Sequence, residues 1–219
     1  MRIHIKMSRT LQPIDFNYQP LLTGCINKWL GENNEQHGRI SLYSFSWLQN
    51  VDVRNHKIHL KDDTYFTLSF HDINNIKTVM TNILDSPEMF FGAKVTDICL
   101  QNTPDFSGKE RFFTASPVLI KRYHENEITH YTYEDEKSDE YLTETLKKKA
   151  GIAGLDATGT KVCFDRSYHA PRTKIISYKG IRNRVNICPI IVEGRPEIVA
   201  FAWNVGIGNS TGIGFGALK

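Results

Sequence analysis

Apolar and polar residues alternate over Arg2–Arg9, with Ile3, Ile5 and Met7 on one side, the period of a half-buried strand. After a turn-prone QPIDFN stretch the spacing changes. Leu21, Leu22, Cys25, Ile26, Trp29 and Leu30 share one helical face, Pro20 suits the first helical turn, and Gly31 with the polar run behind it ends the helix. Residues 40–48, ISLYSFSWL, predict a strand, and HKIHLK with TYFTLSF predict a hairpin turning at Asp62-Asp63. Asp72 is placed to cap a second helix running to about Leu84, whose stripe is Ile73, Ile76, Val79, Met80, Ile83 and Leu84. A strand from about Phe90 to Leu100 closes the series. Strand, helix, strand, strand, helix, strand is the order of a ferredoxin-like unit.

A polar stretch, QNTPDFSGKE, then separates two regions. Beyond it the pattern predicts strands near 111–123 and 128–133 and a helix near 137–150. Further strands are expected at 159–165, 172–178, 184–192 and 196–204. No sequence repeat relates the two regions, but order and length are compatible with a second, more decorated copy. The expectation is an α+β chain of two tandem ferredoxin-like (RRM-like) βαββαβ domains, 1–105 and 111–219, with the duplication resting on topology.

The 219 residues are enough for two small domains with a real core, and 40% apolar with 23% charged residues is ordinary globular composition. A net charge of +3 permits an anionic partner without requiring one, but the charge is uneven. Residues 125–144 hold eight carboxylates against one lysine, a net −7. Residues 161–184 hold seven cations against Asp165, a net +6. In that basic run Arg166, Arg172, Lys174, Arg182 and Arg184 are interleaved with Tyr168, His169 and Tyr178. Cations beside stacking rings suit single-stranded or hairpin RNA, and a solvated charged face is the competing reading. The four cysteines are scattered with no CxxC pair, which argues against zinc. The contexts TGCIN, DICLQ and NICPI predict small buried hydrophobes in a reducing compartment. The start MRIHIKMSRT lacks a secretory pattern and no window approaches 18 apolar residues, so a cytoplasmic protein with no membrane partner is expected.

The sharpest motif is Gly206-Ile207-Gly208-Asn209-Ser210-Thr211-Gly212-Ile213-Gly214-Phe215-Gly216. Its glycines are expected to expose backbone N–H groups and to let a polyanion approach without Cβ clashes. That makes Gly206, Gly208, Asn209, Ser210, Thr211, Gly212, Gly214 and Gly216 candidate RNA contacts beside the basic run. A Rossmann or Walker loop needs a strand before it and a helix after it, and no helix follows here. A merely structural glycine-rich turn is the alternative.

Gly-x-Gly, five residues, then Gly-Phe-Gly resembles the signature of the CRISPR repeat-RNA endoribonucleases of the repeat-associated mysterious protein (RAMP) superfamily. The first half agrees with that family at Asn17, Gly24, His37 and Leu42-Tyr43-Ser44-Phe45-Ser46, and Ala115-Ser116-Pro117-Val118 is similar to its "LSPV" segment. The resemblance implies two tandem ferredoxin-like folds and cleavage of a repeat transcript with no metal and no cofactor. The 2′-hydroxyl attacks in line, leaving a 2′,3′-cyclic phosphate and a 5′-hydroxyl. Such a reaction needs a base, an acid and a cation for the phosphorane charge.

Of the eight histidines, His37 matches the family's general acid/base position, with His169 second. His4 and His59 read as strand residues, and His56, His71, His124 and His130 as solvent-exposed residues near turns. Where the family often carries a Tyr on the first helix this chain has Asn27 beside Lys28, and Arg39 stands where a Lys is usual. Arg39 can neutralise phosphorane charge but cannot act as a base, and Asn27 can orient but not transfer a proton. A slow, His-centred nuclease follows, acting on CRISPR repeat RNA. A catalytically inactive RNA-binding subunit of a CRISPR effector complex is the alternative, with effector subunits or a homodimer as further partners.

Overall fold

The computed structural model describes residues 1–31, 40–124 and 127–219. The opening alternation forms β1 (Arg2–Met7), and the first amphipathic stretch forms α1 (Gln19–Leu30). Then come β2 (Tyr43–Phe45), β3 (Gln49–Arg54), β4 (Lys57–Phe70), α2 (Ile73–Asp85) and β5 (Val95–Gln101). The antiparallel sheet runs β2-β4-β1-β5, with β3 folded onto β4. Ile3 and Ile5 sit opposite Leu68 and Phe66, and this face is buried with Leu22, Ile26 and Trp29 of α1 and Ile76, Val79 and Ile83 of α2. Asp72 caps α2 by accepting from the Asn74 N–H at 2.9 Å.

The hairpin turns elsewhere than expected. Asn55 and His56, both at positive φ (49° and 57°), make a tight two-residue turn between β3 and β4. Asp62-Asp63 instead lies in a bulge within β4, where pairing passes from Val51–Leu60 to Gln49–Tyr65. The Thr64 hydroxyl accepts from the Lys61 N–H (2.8 Å) and donates to the Asn50 carbonyl (3.0 Å), satisfying backbone groups that the ladder abandons. Residues 90–92 form a short 3-10 turn with Phe91 left-handed (φ 49°), which delays the last strand to Val95.

The second unit contains β6 (Lys109–Phe112), β7 (Lys121–His124), β8 (Glu127–His130), α3 (Ser138–Ile152) and β9 (Lys161–Phe164). It continues through β10 (Arg172–Tyr178), β11 (Ile181–Ile187), β12 (Ile190–Glu193) and α4 (Pro196–Val205). Its sheet runs β6-β12-β9, and residues 217–219 add an edge beyond β6. There Phe113 and Lys219 exchange backbone bonds of 3.0 and 2.8 Å, and the Ala115 N–H donates to the Ala217 carbonyl at 2.7 Å. The strand order therefore repeats that of the first unit. The hairpins β7–β8 and β10–β11 are insertions into it. The molecule is two ferredoxin-like units in tandem.

Four expectations are corrected here. Ser116-Pro117 divides 111–123 between two sheets, and Cys188-Pro189 divides 184–192 in the same way, because proline has no N–H for a ladder. Residues 196–204 are the helix α4, not a strand. Pro196 opens it, and from Ile198 to Val205 every residue but Ala200 is buried, so periodicity could not separate helix from strand. Cys25 and Cys188 are buried as expected, but Cys99 is exposed on β5, an edge strand. Among the described residues no helix is long and apolar enough to cross a membrane.

Candidate nucleic-acid interface

The glycine-rich loop leaves α4, a helix rather than the expected strand, and returns into the 217–219 edge. It is packed, not splayed: its five glycines are all buried. The neck closes where the Ile207 N–H donates to the Gly216 carbonyl at 2.8 Å. Gly216 has φ +67°, and a Cβ there would overlap the Ile207 carbonyl oxygen. At Gly212 a Cβ would land on the Ser41 hydroxyl. First-unit side chains reach the loop from this side. The Tyr43 hydroxyl donates to the Gly212 carbonyl (3.0 Å), the Trp47 indole to the Gly214 carbonyl (2.9 Å), and the Gln19 amide to the Ile213 carbonyl. Much of the glycine pattern thus serves close backbone approach between the two units. The N–H groups of Ile207, Asn209 and Gly216 donate to protein carbonyls, so these amides do not face outward as expected.

One edge of the loop does face an opening. Gly208, Asn209, Ser210 and Thr211 line a cavity of about 490 Å³ whose other walls include Ile40, Ser41, Lys121 and Lys148. The Asn209 side-chain oxygen accepts from the Lys121 N–H at 2.9 Å, fixing the loop to the start of β7. Ser210, a non-glycine residue, is held left-handed at φ 61°. Behind this edge lies Lys149 of α3, only 2% exposed. Its ammonium donates to the carbonyls of Val205 and Gly206 (3.2 Å each) and to the Thr211 hydroxyl (3.1 Å). Burial pushes its pKa down to about 7, against which the three oxygens match the three ammonium protons.

The basic hairpin β10–β11 stands on the same loop, through a small core of Leu119, Val185 and Phe215 with Ile176 and Ile213 against it. Arg172, Lys174, Arg182 and Arg184 are exposed on it. Lys121 pairs across β7–β8 with His130, a residue expected to be exposed. His130 is half-buried instead, and its Nε2 is shut from solvent with no hydrogen-bond partner among the described residues. Burial lowers its pKa, Asn183 beside it opposes that shift, and Lys121 and Arg184 add to the depression. Lys121, His130 and Arg184 so connect the cavity to the hairpin.

The other candidates fall elsewhere. Arg166 pairs with Asp139 at the start of α3 and donates to the Tyr133 carbonyl at 2.9 Å. Asn27 and Lys28 lie near the C-terminal end of α1, while Gln19 at the opposite end touches the loop; nine residues of helix separate Gln19 from Lys28 by about 13 Å. The Lys28 ammonium donates to the Ser86 carbonyl and hydroxyl (3.1 Å each) and the Glu88 carbonyl (2.6 Å), so it closes the end of α2 rather than the loop. His37 and Arg39 lie outside the described residues. Sequence reasoning missed Lys121, Lys148 and Lys149. A signal existed for the last: it falls on the buried stripe of α3 with Leu142, Leu146 and Ala150. Among the described residues no group of three His, Cys, Asp or Glu side chains converges as a metal site needs.

Fold and site together define a tandem ferredoxin-like protein with a glycine-rich loop wedged between its units and a basic hairpin standing on that loop. Residues 101–219, more than half of the chain, match the family model described as CRISPR associated protein Cas6, C-terminal. The chain belongs to the Cas6 family of CRISPR-associated proteins, and its role lies in CRISPR RNA processing. No curated protein sequence matches it. Among solved structures, a Cas6-related protein of Pyrococcus furiosus is similar at 22% identity and TM-score 0.85, over 100% of this chain and 97% of that one. A RAMP protein described as binding different RNA substrates is similar at 20% identity and TM-score 0.85, over 100% and 98%. A CRISPR-associated Cas6 protein follows at 21% and 0.83, over 100% and 98%. At these identities the likeness is one of fold.

Proposed function

We propose that this chain is an endoribonuclease that cleaves CRISPR precursor transcripts within the repeat. No metal takes part: a ribose 2′-hydroxyl attacks the adjacent phosphate, leaving a 2′,3′-cyclic phosphate and a 5′-hydroxyl. Residues 1–105 and 111–219 act as its two domains. His37 transfers the proton, Arg39 neutralises phosphorane charge, and Asn27, with Lys28 beside it, orients the strand. The RNA lies along the exposed edge of the glycine-rich loop and the cations of β10–β11. One observation carries this reading: the glycine-rich loop lines the cavity with one edge and packs against the basic hairpin through Phe215 and Ile213, and Ile40 and Ser41 of the first unit line the same cavity.

Incubation with repeat RNA in EDTA, followed by mapping of product ends, is the test. Cyclic-phosphate and 5′-hydroxyl termini are expected, and His37→Ala is expected to cut about 100- to 10,000-fold more slowly at nearly unchanged RNA affinity. A His37→Ala protein that cuts as fast as its parent removes the assignment. The second reading, a non-catalytic RNA-binding subunit, is favoured by the engagement of Lys28 with α2. Tight binding without products in the same assay selects it.

A further inference from the structure

Lys149 is a lysine held in the interior with neutral oxygens around it. Its three bonds run to two backbone carbonyls and one hydroxyl, and among the described residues no carboxylate pairs with it. A buried charge without a counter-ion is costly. The cavity in front of it carries two more lysines, Lys121 and Lys148, which also have no ion-pair partner among the described residues. Among the described residues the one carboxylate on the cavity wall, Glu144, is already taken by the Arg122 guanidinium at 3.1 Å. The Thr211 hydroxyl accepts from Lys149, which frees its own proton to donate forward. Ser210 is held beside it in a left-handed conformation. Among the described residues the wall therefore carries more positive than negative charge, and it is furnished with hydroxyl groups.

We propose that this cavity between α3, β7 and the glycine-rich loop is a phosphate subsite, in which one phosphodiester of the bound RNA sits before Lys149 and is contacted by Lys121, Lys148 and the Ser210–Thr211 hydroxyls. Lys149 is a positioning residue within it. It holds the entering limb of the loop through Val205 and Gly206, and it supplies positive charge from behind. The proposal rests on the RNA-binding reading above and adds to it a location for one phosphate away from the β10–β11 cations.

Repeat-RNA affinity is measured across a salt series for the parent, Lys121→Ala/Lys148→Ala, and Lys149→Met, with melting temperatures alongside. Each lost single-strand phosphate contact reduces the slope of log affinity against log salt by about 0.7. The double variant is expected to bind about tenfold more weakly, with a slope reduced by about 0.7. Lys149→Met is expected to weaken binding in the same direction with a smaller slope. A double variant that melts like the parent and keeps the full slope overturns the subsite, and so does a Lys149→Met protein whose melting changes while its slope does not. Inorganic phosphate at matched ionic strength separates the two readings. It is expected to raise the melting temperature of the parent but not of the double variant. A parent that shows this rise yet binds no repeat RNA overturns the RNA reading and leaves an anion site, whereas equal responses in parent and variant overturn the site.

Discussion

Arg2 and Lys149 are both buried cations that hold the glycine-rich loop: Arg2 bridges its two flanks from the first unit, and Lys149 holds its incoming limb from within the second. Arg2 donates to the Trp203 carbonyl (3.0 Å), the Leu218 carbonyl (2.9 Å) and the Ser69 hydroxyl (2.6 Å), and lies 3.6 Å above the Trp203 ring. Lys149 holds the incoming limb at Val205 and Gly206. The Arg2 surroundings are closed by aromatic and strand packing, whereas the Lys149 surroundings form the back wall of a cavity. Burial lowers Arg2 to about 9, which leaves it charged at neutral pH, but takes Lys149 to about 7. Similar hydrogen bonding thus serves two ends: a planar, stacked guanidinium makes a permanent staple, and a compact ammonium makes a charge that its surroundings can tune.

The comparison breaks most severely at the neck that both cations flank. Gly216→Ala drives a Cβ into the Ile207 carbonyl at a positive φ, and is expected to cost on the order of 4 kcal/mol in denaturant titrations, with loss of RNA binding. Arg2→Met leaves three acceptors unpaired in a closed site, so a loss of about 3 kcal/mol is expected. RNA affinity per folded molecule is expected to stay unchanged, and a large change there would erase the distinction from Lys149. Lys149→Met abandons its acceptors but also relieves a buried charge, so the same denaturant assay is expected to show a change within about 1 kcal/mol at neutral pH.

A further effect is one of pH. In the folded protein Lys149 sheds its proton near 7, and in the unfolded chain near 10.5, so between those values the unfolded chain holds more protons. Stability should therefore rise with pH across that window in the parent relative to Lys149→Met. Melting curves of both proteins from pH 6 to pH 10 check it, and parallel curves would show that the amine does not titrate there.

The first unit was readable because its helices and strands each carry one apolar side, as in Ile3, Ile5 and Met7 of β1 and Ile76, Val79 and Ile83 of α2. The second unit was less readable where burial is two-sided. From Ile198 to Val205 every residue of α4 but Ala200 is buried, and prolines 117 and 189 sit where strands change sheets, a change local periodicity does not record. The glycine-rich loop was identified as the distinctive motif, yet its packing against Ser41, Tyr43 and Trp47 was not foreseen, since those residues lie more than 150 positions away in the chain. The basic run of the hairpin was legible as charge, but Arg166 proved to be neutralised by Asp139.

Alternation, helical stripes, caps and the Gly-rich signature are local properties, so the chain announced them on its own: the order of elements in the first unit, the family, and a basic stretch in the second half. Which cations stand near that loop, and which are consumed in capping a helix or pairing with a carboxylate, depends on partners far away in sequence. Burial strips water from a charge and lets distant oxygens set its protonation, and that is a property of the folded surroundings alone.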